Sequence, residues 1–232
     1  MSQRDALALA VSMAYVALVL AGALGLRRTR IAPVTLRACV HIAVGLWIIP
    51  TVMLFESRSC AMAPPVLFVI ANAVGRPRKV YETLGRSGPG GWVLVFFPAA
   101  VAVVIGLWWS ARLRPAVVVG VLCLGLGDSA ASMVGRRWGR LRWARLLPGG
   151  SAETGAKTVE GSAALWLIST GACAGAFVLM AGWPWLSGLA AGSMVAAAGA
   201  LVEAVAPGKL DNLLLPLVTS AAAAALLAWK GA

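Results

Sequence analysis

The chain has 232 residues, of which 60% are hydrophobic and only 12% charged, with a mean hydropathy of +0.87. Soluble globular domains carry about 25% charged residues, so this composition excludes one and calls for an all-α, polytopic membrane protein. The net charge of +12 does not mark a nucleic-acid binder, because the basic residues are dispersed among the connections between apolar runs instead of forming one patch.

Windows of about 20 residues, the length that crosses a bilayer core, predict helices at 6–26, 36–55, 60–75, 91–110, 115–134, 162–182, 185–206 and 210–229. The expectation is therefore eight transmembrane helices in a single integral-membrane domain covering 1–232. The third is the shortest and carries Pro64 and Pro65, so a full crossing and a re-entrant segment both stay open at this point. The first apolar run is long enough to span and has no basic flank before it, so a retained helix is expected, not a cleaved signal. Cys39, Cys60, Cys123 and Cys173 lie in or beside apolar runs without CxxC spacing, which argues against a disulfide framework and a zinc site. Gly171 with Gly175, and Gly188 with Gly192, repeat at four-residue spacing and are expected to let helix backbones approach closely. No internal repeat of the inverted-transporter kind is visible.

Fifteen of the twenty Lys and Arg residues fall in alternate connections, near 27–37, 76–90, 135–161 and 207–210, while only Arg4, Arg58, Arg112, Arg114 and Lys230 fall on the other side. The positive-inside rule puts the richer connections in the cytoplasm and both termini on the opposite face.

There are only eight acids, Asp5, Glu56, Glu82, Asp128, Glu153, Glu160, Glu203 and Asp211. A carboxylate inside an apolar span costs roughly 2.5 to 3.5 kcal/mol on insertion scales and persists mainly for chemistry or an ion, so Asp128 in PAVVVGVLCLGLGDSAASMVG is the most informative. Asp128, Glu160, Glu203 and Asp211 all sit near ends of predicted spans that meet one membrane face. The longest connection, 135–161, begins there and reads GRRWGRLRWAR. Carboxylates for a divalent cation beside Lys, Arg and glycine for phosphate are what a nucleoside triphosphate site needs. Gly135 and Gly139 flank Arg136 and Arg137, with Arg140 next, giving backbone and guanidinium groups suited to phosphate oxygens.

Spacing refines the picture. Asp128, Ser132 and Arg136 recur every four residues and predict one polar stripe. Lys157 and Glu160, three apart, are expected on one face of the first turn of the sixth span, where Thr158, Gly161 and Ser162 supply a helix start and free amides for an anion. Pro216 cannot donate to the carbonyl of Asn212, leaving that oxygen beside Asp211. Arg37 and His41, four apart, are expected to point into the same cleft. LGLGDSA fits a loose GxGxxA fingerprint but lies inside a span with no preceding strand, so it is not a dinucleotide site.

GDSAASMVGRRWGR, KTVEGSAA and EAVAPGKLDNLLLPL, with LRACVHIAVGL and GRSGPGGWVLVFFP upstream, together resemble the CTP-dependent polyprenol kinase family of dolichol, phytol and farnesol kinases. The likeness runs from about Arg37 to Leu217, and the GRRWG spelling favours the compact phytol and farnesol branch. The resemblance implies transfer of the γ-phosphoryl group of CTP to a membrane-dissolved isoprenoid alcohol. It makes Asp128, Lys157, Glu160 and Asp211 the catalytic set, with Asp128, Glu160 and Asp211 around Mg²⁺ and Asp128 favoured as proton acceptor. Nucleotide contacts fall to Gly135, Arg136, Arg137, Gly139, Arg140, Lys157, Thr158, Gly161, Ser162, Glu203 and Asn212, and Arg37, His41 and Ser132 would border the substrate cleft. The stretch from Leu141 to Ala156 departs from the pattern in length and arginine content. Membrane cytidylyltransferases share a GD-like acid and a K-[ST]-x-E-G segment, and a transporter could also bury acids. The Leu210-Asp211-Asn212 ending disfavours the first, and the phosphate-suited loop disfavours the second.

Overall fold

The computed structural model describes residues 1–26, 29, 31–74, 93–146, 157–207 and 210–230. Its helices are α1 (Gln3–Leu26), α2 (Pro33–Leu46), α3 (Ile48–Leu54), α4 (Arg58–Val74), α5 (Val93–Trp108), α6 (Arg114–Leu122), α7 (Ser129–Trp138), α8 (Val159–Ala181), α9 (Trp185–Val205) and α10 (Asp211–Lys230). Two pairs form longer rods. α2 and α3 make one unit from Pro33 to Leu54, and α6 runs through a π-helical segment, Cys123–Asp128, into α7, making a unit from Arg114 to Trp138.

Among the described residues, six units have the length and apolar character to cross a membrane: α1, α2–α3, α6–α7, α8, α9 and α10. Of the eight spans expected from hydropathy, the other two are matched among the described residues by shorter apolar helices. α4 and α5 have 17 and 16 described residues and flank residues 75–92, which lie outside the described set. Both prolines of α4 are absorbed within one continuous helix, with Pro64 buried. The multi-pass, all-helical architecture stands. Leu, Ile, Val and Met residues such as Leu18, Ile70, Leu179 and Met194 are exposed on the outer surface, as a bundle solvated by lipid requires.

The Arg114–Trp138 rod is the axis of the bundle, and every residue from Pro115 to Leu122 is buried. α8 and α10 pack on it, α9 packs on α8 and α10, α2 crosses it at the π-helical segment, and α4 and α5 pair on the other side. Glycines set the closest crossings. A Cβ on Gly45 would lie 2.9 Å from the Cα of Gly125, so α2 and the axis meet backbone to backbone. Gly188 and Gly192 press against α8 at Val178, Ala174 and Thr170 as their spacing suggests, whereas Gly171 and Gly175 face open space, which corrects the expectation for that pair. α8 ends at Gly182, whose φ of 68° is the left-handed conformation of a helix stop. Trp183 beyond it stacks on Phe177 with ring centroids 4.8 Å apart.

The five basic residues set apart by the charge count have helix-end and ring partners. Arg112 donates to the carbonyls of Leu227 and Ala228 at 3.2 and 3.0 Å, and Arg114 to Val52 at 2.8 Å, capping the C-termini of α10 and α3. Arg58 donates to Gly106 at 3.3 Å, Lys230 lies over the Trp183 ring, and Arg4 pairs with Glu56. Asp5 accepts the amide of Glu56 at 2.9 Å, so this acid ties α1 to the turn before α4. The cysteines are free, and the two in the core, Cys123 and Cys173, lie with their sulfurs 3.5 Å apart.

Candidate active site

At the other end of the bundle, four stretches far apart in the chain enclose a cavity of about 340 Å³. α2 contributes Arg37 and His41; the end of the π-helical segment and α7 contribute Asp128, Ser132, Gly135 and Arg136. Lys157, Thr158 and Gly161 come from the start of α8, Glu203 from the end of α9, and Asp211 with Asn212 from the start of α10. The stripe Asp128, Ser132, Arg136 therefore faces one cavity, and Arg37 and His41 share it. Asp211, Glu203, Lys157 and Arg37 all lie within electrostatic reach of Asp128.

The π-helical segment was not foreseen. Its extra residue turns everything after it by about 100° relative to an unbroken α-helix, so the bulge decides where Asp128 points. Gly125 and Gly127 permit it, because α2 and the side chains of Leu165 and Ser169 occupy the space a Cβ would need.

Lys157 and Glu160 diverge, which corrects the expected shared face. The helix starts at Val159, with Thr158 as an extended N-cap residue, φ −127° and ψ 150°, accepting the Gly161 amide at 3.1 Å. Lys157 thus lies outside the helix, and helical spacing does not apply to it. Its ammonium donates to the carbonyls of Glu203 and Ala206 and pairs with Asp211 Oδ2 at 3.2 Å. All three donors are engaged, clamping the start of α8 to the end of α9 and the start of α10.

Glu160 points away from Asp128 and Asp211 into a separate depression formed with Arg137, Trp138, Gly139 and Arg140. Its Oε1 accepts the amides of Arg140 and Leu141 at 2.9 and 3.2 Å. There the carboxylate holds a strap: the amides of Trp143 and Val159 donate to the carbonyls of Lys157 and Leu141 at 3.1 and 2.9 Å, and Arg142 bridges Thr158. Two of the first amides of α8 are consequently not open to an anion, since Val159 and Gly161 donate within the protein. Gly135 and Gly139 serve the same strap, because a Cβ on either would collide with Thr158. Ser162 is buried behind the cavity wall, donating to Glu203 Oε2 at 2.6 Å and accepting the indole N–H of Trp143 at 2.9 Å. Nothing in the spacing of Trp143 announced that role.

The cations left facing the cavity are Arg37 and Arg136; no ion pair among the described residues engages either. Arg136 is exposed and Arg37 half-buried. Arg76, Arg78, Lys79, Arg86, Lys209 and the stretch 147–156 lie outside the described residues. Among the described residues no group of three or more His, Cys, Asp or Glu side chains forms a ready metal cage. Asp128 and Asp211 remain as hard oxygen donors on one cavity, and Mg²⁺ commonly takes just one or two carboxylates with water and substrate phosphate. The donor set fits that ion.

Two curated proteins are similar to this chain. One is the dolichol kinase EVAN of Arabidopsis thaliana, 32% identical over 137 residues, a match covering 54% of this chain and 21% of that one. The other is a phytol kinase of Synechocystis sp., 29% identical over 150 residues, covering 65% of this chain and 58% of that one. The chain thus spans about a fifth of the first and somewhat over half of the second. No family model matches, and no solved structure matches. The chain is a distant homologue of dolichol and phytol kinases, consistent with the polyprenol kinase family its motifs resemble.

Proposed function

We propose that the chain is an isoprenoid-alcohol kinase, transferring the γ-phosphoryl group of a nucleoside triphosphate, CTP by resemblance, to the hydroxyl of a prenol or polyprenol dissolved in the bilayer. One observation carries the reading: Asp128, Asp211, Arg37 and Arg136 gather on a single cavity at the end of an apolar bundle. A substrate whose tail needs lipid and whose hydroxyl must meet a triphosphate requires that setting. The positive-inside rule applied to the sequence supports a cytoplasmic location for this end.

In this mechanism Arg37 and Arg136 bind the phosphate oxygens and balance charge on the transferred group, a task suited to planar guanidinium donors. The alcohol oxygen attacks the γ-phosphorus while Asp128 takes its proton. As that bond forms, the bond from the γ-phosphorus to the bridging oxygen breaks, and the nucleoside diphosphate leaves with the electron pair. Asp128 and Asp211 are the residues that would hold Mg²⁺, which when bound neutralises phosphate charge. Lys157 is a positioning residue that orients Asp211, and Glu160 shapes the strap beside the site.

The test is the fate of label from CTP in membranes containing the protein, Mg²⁺ and a panel of prenols. Kinase chemistry carries γ-label and no α-label into lipid. Transfer of α-label instead would establish cytidylyl transfer, and absence of lipid label from any nucleotide, with solute uptake into vesicles, would establish transport.

A further inference from the structure

A second cavity, also of about 340 Å³, lies deeper in the bundle between α1, α2, α3, α4 and α5. Its wall is almost wholly apolar, and the polar side chains on it are already engaged. The Ser12 hydroxyl accepts the Trp47 indole N–H at 3.0 Å, Thr51 donates to the carbonyl of Trp47 at 2.8 Å, and Asn72 is also partnered. A void of this kind offers water too few hydrogen bonds to hold it and suits an apolar guest. His41 lines both this cavity and the acid-bearing one, with its ring tilted against Phe97 at 4.8 Å between centroids. The two spaces therefore meet at these rings.

Helix direction orders the wall by depth. Thr51 follows His41 by ten residues along α2 and α3, about 15 Å further from the acids at 1.5 Å per residue. α5 runs the same way, so Ile105 lies about 12 Å beyond Phe97. α4 runs back, and Met62 against Gly106 fixes its start, including the buried Ala61, at the same depth as Ile105. Ala61, Thr51 and Ile105 thus form a floor. An apolar cavity of about 150 Å³ holds one benzene ring, so this one holds on the order of a dozen carbons, two to three isoprene units.

We propose that this cavity holds the first isoprene units of the alcohol, that His41 and Phe97 form the neck where the hydroxyl emerges among the acids, and that the floor at Ala61, Thr51 and Ile105 sets the chain length preferred. The inference rests on the kinase reading above. Its test compares geraniol, farnesol and geranylgeraniol with purified wild type, A61L, which raises the floor, and I105A, which lowers it. A61L should cut the farnesol-to-geraniol ratio of kcat/KM by at least about tenfold, the scale at which apolar pockets reject excess carbon. I105A should move preference toward geranylgeraniol, with the nucleotide KM unchanged in both. If A61L does not fold, I105A decides by itself, and a folded variant with the wild-type chain-length profile would overturn the proposal. A farnesol probe bearing a terminal diazirine reads the site without turnover. Label at Ala61, Thr51 or Ile105 is expected, and label confined to lipid-facing residues, or abolished by phospholipid acyl chains alone, would overturn it. Should wild type phosphorylate no prenol while the probe still marks the floor, the kinase reading fails and the tail cavity stands.

Discussion

Lys157 Nζ lies 3.2 Å from Asp211 Oδ2, with the two side chains only 9% and 13% exposed, and it also donates to the carbonyls of Glu203 and Ala206. Lys157, two residues before α8, thus locks the end of α9 to the start of α10. Truncating Lys157 to Ala strands a carboxylate and two carbonyls, and losing one partner of a largely buried pair costs about 3–5 kcal/mol. The expected outcome is a lowered thermal midpoint in detergent together with lost turnover. A wild-type midpoint would contradict the clamp.

Asp128→Asn preserves shape and removes the charge. With Asp128 as proton acceptor, kcat should fall about 10²- to 10⁴-fold, while the protein remains folded in the membrane. Steady-state transfer of γ-label to farnesol measures this, and near-wild-type kcat would remove Asp128 from the chemistry.

Glu160 separates two assignments. Its carboxylate accepts two strap amides, a task the Gln carbonyl can still perform, so Glu160→Gln should retain activity within about tenfold of wild type. Glu160→Ala removes the acceptor that ties those amides to the start of α8, and should be the more damaging change. Loss of activity in Glu160→Gln as deep as in Asp128→Asn would restore Glu160 to the metal set.

Gly45→Ala places a Cβ 2.9 Å from the backbone of Gly125. Neither helix can yield without moving the bulge that aims Asp128, so a destabilisation of about 1–3 kcal/mol is expected. Gly171→Ala, on an open face, should leave the unfolding midpoint unchanged, and equal effects from the two substitutions would contradict the described packing.

Most of the helices were legible because apolar runs of spanning length leave few alternatives. α8 and α10 begin and end within three residues of the predicted spans at 162–182 and 210–229. The cluster of Asp128, Glu203 and Asp211 was legible for the same reason, since span ends alternate between two faces. The opposed directions of Lys157 and Glu160 were not, because helical spacing applies only once the helix has begun and Thr158 delays it to Val159. The π-helical turn was hidden too: Gly125 and Gly127 permit it, but it takes the neighbouring α2 and α8 to require it. Gly171 and Gly175 misled because four-residue spacing reports which glycines share a face, not whether another helix covers it.

The most direct test of acids acting together in one site is the coupling between Asp128 and Asp211. In γ-label transfer to farnesol, Asp128→Asn and Asp211→Asn should each lower kcat steeply, and the double variant should be scarcely worse than either, because groups that work as one unit fail together. Losses that multiply in the double variant would show two independent contributions and contradict a shared centre.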